Sequence, residues 1–289
     1  MEFRVLGPLE VYDGDGRPVE VGGPRQRAVL ARLLVAGGQL VAVDTLIDDL
    51  YKDAPPATAL ATVQSYVSHL RRAIERDRPA RSRPKVLVGR PPGYVLAAVS
   101  VDAVRFTDLV KRSEFLPAGE ALASVEEALG LWRGVPYGEF CDETWAITEV
   151  SRLRELRLVA VERRAQALLD LGRPLAVIAD LEVETGADPL RERLWCLLAL
   201  ALYRTGRQAD ALTVLRKAGD ILVNQHGLDP GRELRELEND ILRQAESLGP
   251  VSSPVLLAPP EVSSPQAQMV RERPSAEPLG WTVPSALGR

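Results

Sequence analysis

The 289-residue chain carries 36 Lys and Arg against 40 Asp and Glu, a net charge of −4, and 46% of its residues are hydrophobic. That length and composition suit a globular protein with core enough for two domains. No window approaches eighteen uncharged apolar residues and the N-terminus opens as a strand, which excludes a visible membrane span or secretory signal and makes the cytoplasm, with the nucleoid, the expected compartment.

The first elements predicted are short strands. Phe3, Val5, Leu9 and Val11, then Val19 and Val21, alternate as half-buried strands do, joined across the Asp-Gly-Asp-Gly cluster at 13–16. Pro24 is placed as a first-turn proline, and Ala28, Val29, Ala31, Leu33 and Leu34 carry a helix that stops at Gly37 and Gly38. Asp44 is expected to cap a short helix bearing Leu46, Ile47 and Leu50. A Pro-rich turn at 53–57 follows.

The third helix is the most informative stretch. Val63, Val67, Leu70 and Ile74 recur at spacings of four, three and four, forming one apolar stripe that must face a core. At about 100° per residue the opposite face carries Thr58, Ala61, Thr62, Ser65, Ser68, His69 and Arg72. These are small or hydrogen-bonding groups, suited to a helix that sits deep in a DNA groove. Beyond the helix, residues 85–88 and 94–96 favour strands around a Pro/Gly turn at 89–93 with Arg90 at its tip. Residues 58–90 hold Arg71, Arg72, Arg76, Arg78, Arg81, Arg83, Lys85 and Arg90 against Glu75 and Asp77 alone. The whole order is that of a winged helix-turn-helix with an N-terminal sheet. A solvated helix beside a surface hairpin is the plainer alternative, because Arg-rich helix ends are favoured by the helix dipole.

From about residue 102 to 248 the pattern is all helix. Leu171-Gly172-Arg173 and Thr205-Gly206-Arg207 fall at the same point of two helical hairpins 34 residues apart, the period of a tetratricopeptide repeat, with a plain helical bundle as the alternative. Residues 1–95 hold 14 Lys and Arg against 11 Asp and Glu, whereas 102–248 hold 19 against 26, so the acidic total conceals a basic first half. Local field matters more than net charge for binding a polyanion. Each half is expected to close its own core on either side of residues 99–102, with Trp145, Trp195 and Cys196 in the core of the second. Beyond Gly249 prolines interspersed with Ser and Ala predict a disordered tail in which Trp281 is incidental.

These segments resemble a known family. Residues 55–73 with the Arg90-Pro91-Pro92-Gly93-Tyr94-Val95-Leu96 run, and the opening Phe3-Arg4-Val5-Leu6-Gly7-Pro8-Leu9-Glu10-Val11, look like the OmpR-type winged helix of the Streptomyces antibiotic regulatory proteins. Leu131-Trp132-Arg133-Gly134, Leu153-Arg154-Glu155-Leu156-Arg157, Asp188-Pro189-Leu190-Arg191-Glu192-Arg193, residues 201–209 and Gly227-Leu228-Asp229-Pro230-Gly231 are similar to the same family's bacterial transcriptional activation domain. Two departures stand out: Tyr51 where members usually carry Trp, and a loose fit over 217–225. The resemblance implies side-by-side binding on direct repeats of promoter DNA, as a dimer or higher oligomer, recruitment of RNA polymerase holoenzyme, and control of a secondary-metabolite cluster. The resemblance is to the small members of the family, so neither an ATPase domain nor a receiver domain ahead of the winged helix is expected.

The expected fold is therefore mainly α, an N-terminal winged helix-turn-helix (α+β) at 1–98 followed by an all-α tetratricopeptide-like helical repeat domain at 102–248 and a tail at 249–289. The expected function is sequence-specific transcriptional activation, with a helical-repeat interaction scaffold lacking specific DNA binding as the alternative. The candidate DNA-binding residues are Arg25, Arg27, Thr62, Ser65, Ser68, His69, Arg71, Arg72, Lys85 and Arg90. Thr62, Ser65, Ser68, His69 and Arg72 are assigned to base edges; Arg25, Arg27, Arg71, Lys85 and Arg90 to phosphates. The phosphate loop, dinucleotide, nucleophile-elbow and His-Glu-x-x-His motifs are all missing, so no enzymatic activity is expected. With Cys141, Cys196, His69 and His226 scattered, neither metal nor cofactor is expected.

Overall fold

The computed structural model of the chain describes residues 1–52, 54–76, 82–97 and 100–249. Arg78, Arg81 and the Pro/Ser-rich stretch with Trp281 lie outside the described residues. The N-terminal part opens with β1 (Glu2–Arg4) and β2 (Glu10–Tyr12), paired antiparallel so that Phe3 faces Val11. Val19 and Val21 are buried as their alternation requires, yet they form no strand: the chain makes one bridge, Tyr12 with Pro18, and the Val19 N–H donates to the Val11 carbonyl at 2.8 Å. At the turn, one Asp13 carboxylate oxygen accepts from the amides of Asp15 and Arg17, each at 2.9 Å, which closes the loop without a regular hairpin.

Helix α1 (Pro24–Val35) begins on its proline and ends before Gly37 and Gly38, both at positive φ, as the sequence predicts. Strand β3 (Val41–Ala42) leads directly into α2 (Val43–Tyr51). The cap of α2 is Ala42, not Asp44, which lies inside the first turn where its charge complements the helix dipole. Helix α3 (Ala59–Ile74) buries Val63, Val67, Leu70 and Ile74 together with Ala59, confirming the stripe. Burial of each large side chain contributes about 1.5–3 kcal/mol, enough to hold α3 against α1 and α2. The wing is β4 (Leu87–Arg90) and β5 (Gly93–Leu96). Its turn is tighter than the five residues expected, because Arg90 pairs with Gly93 across Pro91 and Pro92 alone. Strand β5 also pairs with β3, where a Cβ on Gly93 would meet the Val41 carbonyl oxygen at 1.8 Å, so only glycine fits.

Strand β6 (Ser100–Val101) returns to lie parallel to β1, giving sheets ordered β2-β1-β6 and β3-β5-β4. The rest is helical: α4 (Asp102–Ser113), α5 (Ala118–Leu129), α6 (Thr144–Asp170), α7 (Ile178–Ala187), α8 (Glu192–Arg204), α9 (Gln208–Asp220) and α10 (Arg232–Arg243). The proposed 34-residue period is visible in the backbone. Around Gly172 the amides of 171, 172 and 173 donate to the carbonyls of 167, 169 and 168; around Gly206 the amides of 205, 206 and 207 donate to 201, 203 and 202. Both glycines have positive φ, at +69° and +80°. The loose fit after Lys217 coincides with a π-helical turn at Ile221–Gln225, a local one-residue widening of the helix. Among the described residues no helix is long and apolar enough to cross a membrane.

The two halves do not close separate cores around residues 99–102. A single apolar cluster takes in Phe3, Leu6, Leu30, Leu70 and Leu87 on one side of that point and Phe106, Val110, Tyr137, Phe140 and Leu153 on the other. A second cluster, centred on Leu168, Leu181, Leu198, Leu202 and Leu215, fills the later helices and includes Trp195 and Cys196. Trp145 is half-buried against the first. The seam is polar as well as apolar. Asp102, 4% exposed, accepts from the amides of Val5 at 2.7 Å and Leu6 at 3.1 Å, and the amides of Arg133 and Tyr137 donate to the Leu6 and Val5 carbonyls, both at 2.7 Å. Burial raises the Asp102 carboxyl above its ordinary range, against the pull of those amides and of Arg133.

Candidate nucleic-acid interface

The face of α3 turned away from the core is where the sequence places it. Ser65, Ser68 and Arg72 are exposed, with Ala61 and Gln64 beside them. Thr62 and His69 lie at the edge and are half-buried. The Thr62 hydroxyl donates to the Thr58 carbonyl at 2.9 Å, so toward a ligand it is left as an acceptor. His69 leans on the chain at Gly22, where a Cβ would come within 2.9 Å of Nε2; Gly22, at φ +97°, leaves room for the ring. Gln64 is the exposed hydrogen-bonding residue missing from the sequence-derived set, because it stands at the margin of the face that strict helical periodicity marks as opposite the stripe. Its amide has the two-pronged geometry that reads adenine.

The wing is fixed to the end of α3. Glu75, just past the helix, accepts from the amides of Lys85 at 3.0 Å, Val86 at 2.6 Å and Leu87 at 3.2 Å through one oxygen. Arg71 donates to the Leu87 carbonyl at 2.9 Å and lies over the Tyr94 ring at 5.6 Å. The guanidinium of Arg71 is thereby engaged by the wing. Arg90 at the tip and Lys85 at its base are exposed. The Pro92 carbonyl accepts from the Val43 amide at 3.1 Å, which anchors the tip to the start of α2.

The two arginines that begin α1 diverge. Arg25 is exposed and stands over the Tyr51 ring at 5.0 Å, its pKa raised first by a hydrogen bond to Tyr66. Arg27 is held within the protein: its guanidinium reaches Glu139 at 2.6 Å and the Leu9 carbonyl at 2.8 Å. That arrangement ties α1 to the 3-10 turn at Gly138–Phe140 in the later half. Arg32 with Asp49, at 2.7 Å, links α1 to α2. The structure thus brings Arg25, Ser65, Ser68, Arg72, Lys85 and Arg90 to the surface, Arg25 leaning on Tyr51 and Tyr66, and gives Arg27 and Arg71 internal partners.

A winged helix with an exposed reading face, joined through a common core to a helical-repeat stack, is the architecture of a transcriptional regulator. Residues 16–96 match the C-terminal domain of transcriptional regulatory proteins, and residues 101–242 match the bacterial transcriptional activator domain. The chain is 37% identical over 265 residues to the regulatory protein AfsR of Streptomyces coelicolor, spanning 88% of this chain and 25% of that one. It is 32% identical to the regulatory protein DnrI of Streptomyces peucetius, covering 84% of this chain and 92% of the relative. The solved structure of Mycobacterium tuberculosis EmbR in complex with a low-affinity phosphopeptide superposes with a TM-score of 0.76 at 38% identity, over 84% of this chain and 65% of that one. The chain therefore spans about a quarter of AfsR and about two thirds of EmbR. It belongs to the Streptomyces antibiotic regulatory protein family of transcriptional regulators.

Proposed function

We propose that this chain is a sequence-specific DNA-binding transcriptional activator, with residues 1–98 reading promoter DNA and residues 102–248 contacting the transcription machinery. The observation that carries this reading is the exposed face of α3, where Ser65, Ser68 and Arg72 stand free beside a wing that presents Arg90. Ser, Gln and Arg side chains hydrogen-bond base edges in the major groove, and Lys85, Arg90 and Arg25 supply charge for the flanking phosphates. Membership in a family of regulators supports the same reading. Its resemblance to antibiotic regulators favours a secondary-metabolite cluster as the target and RNA polymerase as the protein partner.

One winged helix reads few base pairs, so specific occupancy calls for at least two copies, placed head to tail on direct repeats about one helical turn apart. Promoter DNA from the neighbouring gene cluster, titrated in a gel shift, is expected to bind cooperatively. Inserting about five base pairs between the repeats turns one copy to the opposite face and is expected to abolish that cooperativity. A binding curve unaltered by the insertion replaces this arrangement with monomeric recognition, and equal affinity for promoter and random DNA removes sequence-specific binding altogether. In vitro transcription with purified RNA polymerase tests the activating step.

A further inference from the structure

A cavity of about 530 Å3 opens where the C-terminal end of α1, strand β5, α4 and the start of α6 meet. Its size is that of a small-molecule site. Leu33, Leu34, Leu96 and Val101 give it an apolar lining. Tyr137 lines it too and is 2% exposed, yet its phenol makes no hydrogen bond among the described residues. A phenylalanine would fill the same space in the core, so packing does not account for the hydroxyl. The phenol oxygen is not one of the fully enclosed polar atoms that lack a partner, so it keeps some accessible surface, and the residue sits in the left-handed region at φ +62°, a conformation bulky side chains rarely adopt. Strain of that kind concentrates at ligand clamps. Burial holds the phenol pKa above its ordinary value, so the group keeps its proton and acts as a donor.

The charges around the cavity cancel. Glu149 and Arg152, one turn apart on α6, bond each other twice, at 2.7 and 2.8 Å. Asp108 and Lys111 on α4 add one charge of each sign. Asp108 and Lys111 are exposed, so their charges stay in water, and the buried wall of Leu33, Leu34, Leu96 and Tyr137 offers a charged ligand no counter-charge.

We propose that this cavity binds one small neutral ligand, with an apolar body against Leu33, Leu34 and Leu96 and a carbonyl or hydroxyl oxygen that accepts from the Tyr137 phenol. The site is separate from the DNA-reading face, and its test does not depend on DNA binding. Prodan, a neutral naphthyl ketone whose emission shifts to the blue on leaving water, is titrated into the full chain. Saturable binding at one site is expected. Tyr137→Phe keeps the ring and is expected to weaken binding by about tenfold, the loss of one hydrogen bond. Val104→Trp places an indole at the rim and is expected to abolish the blue shift; because Val104 is 57% exposed, this change leaves the core untouched. Circular dichroism melts confirm that both variants fold. A full chain that gives no saturable blue shift overturns the proposal, and so does Prodan binding that either substitution leaves at the wild-type affinity.

Discussion

Arg71 and Arg72 are neighbours in sequence, alike in charge and flexibility, yet about 100° apart around α3. That rotation gives them different work. Arg72 is exposed, with one weak contact of 3.4 Å, to the Ser68 carbonyl, among the described residues, which leaves it available to a base edge. Replacing it with Ala is expected to cost about 1–3 kcal/mol of affinity for the promoter site and less for random DNA, measured in a competition titration. Equal losses on both would move it to the phosphates. Arg71 instead braces the wing through Leu87 and Tyr94. Arg71→Ala is expected to destabilise the fold by about 1 kcal/mol and to speed amide exchange in β4, and Arg71→Lys to leave most of that loss unrepaired, since an ammonium lacks the planar fork. Unchanged stability with a shallower salt dependence would return Arg71 to phosphate binding. Nothing local in the sequence separates the two arginines, because the partner that engages Arg71 arrives 16 residues later.

At the scale of elements, what could be read was what local chemistry decides. The α3 stripe, the proline that starts α1, the glycines that end it and the matched turns at Gly172 and Gly206 all follow from periodicity or from backbone freedom. What escaped was decided at a distance. Strands β3 and β6 are two residues each and exist because β5 and β1 offer them an edge. Val19 and Val21 show the reverse, alternation that meets burial without a strand partner. The buried stripe of α3 and the exposure of its opposite face were legible; Gln64, at the margin of that face, was not, nor were the partners of Arg27, which depend on how Leu9 and the turn at Gly138–Phe140 cover the start of α1. Two glycines separate local from distant causes by experiment. Gly172 has open space around its missing Cβ, so Gly172→Ala is expected to cost only the left-handed backbone term of about 1–2 kcal/mol. Gly138 has φ +48° and a Cβ there would lie 2.8 Å from the Pro8 Cα, so Gly138→Ala is expected to cost more, because the seam between the halves must open. Chemical denaturation of the two variants side by side checks the order, and equal losses would show that the contact at Pro8 relaxes freely.

For the whole molecule the consequence is that the winged-helix half leans on the helices behind it. Val5 and Leu6 sit at the centre of this dependence: their amides are satisfied by Asp102, their carbonyls by the amides of Tyr137 and Arg133, and their side chains are fully buried in the common cluster. A fragment ending at residue 98 removes every one of those partners and strips Phe106, Val110, Tyr137 and Phe140 from the core. Each orphaned buried amide costs about 1–3 kcal/mol unless water reaches it, and each lost large apolar contact a comparable amount, against a total stability of about 5–15 kcal/mol for a native domain. Fragment 1–98 is therefore expected to melt well below the intact chain, with poor dispersion of its amide resonances. Fragment 1–170 carries α4, α5 and α6 and so completes the first cluster; it is expected to recover a cooperative transition even though the later repeats are gone. In the intact chain Asp102→Ala is expected to lower stability by about 3 kcal/mol, because the Val5 and Leu6 amides lose their acceptor together. A fragment 1–98 that melts as cooperatively and at the same temperature as the full chain would show that the shared core is a contact between two self-sufficient halves.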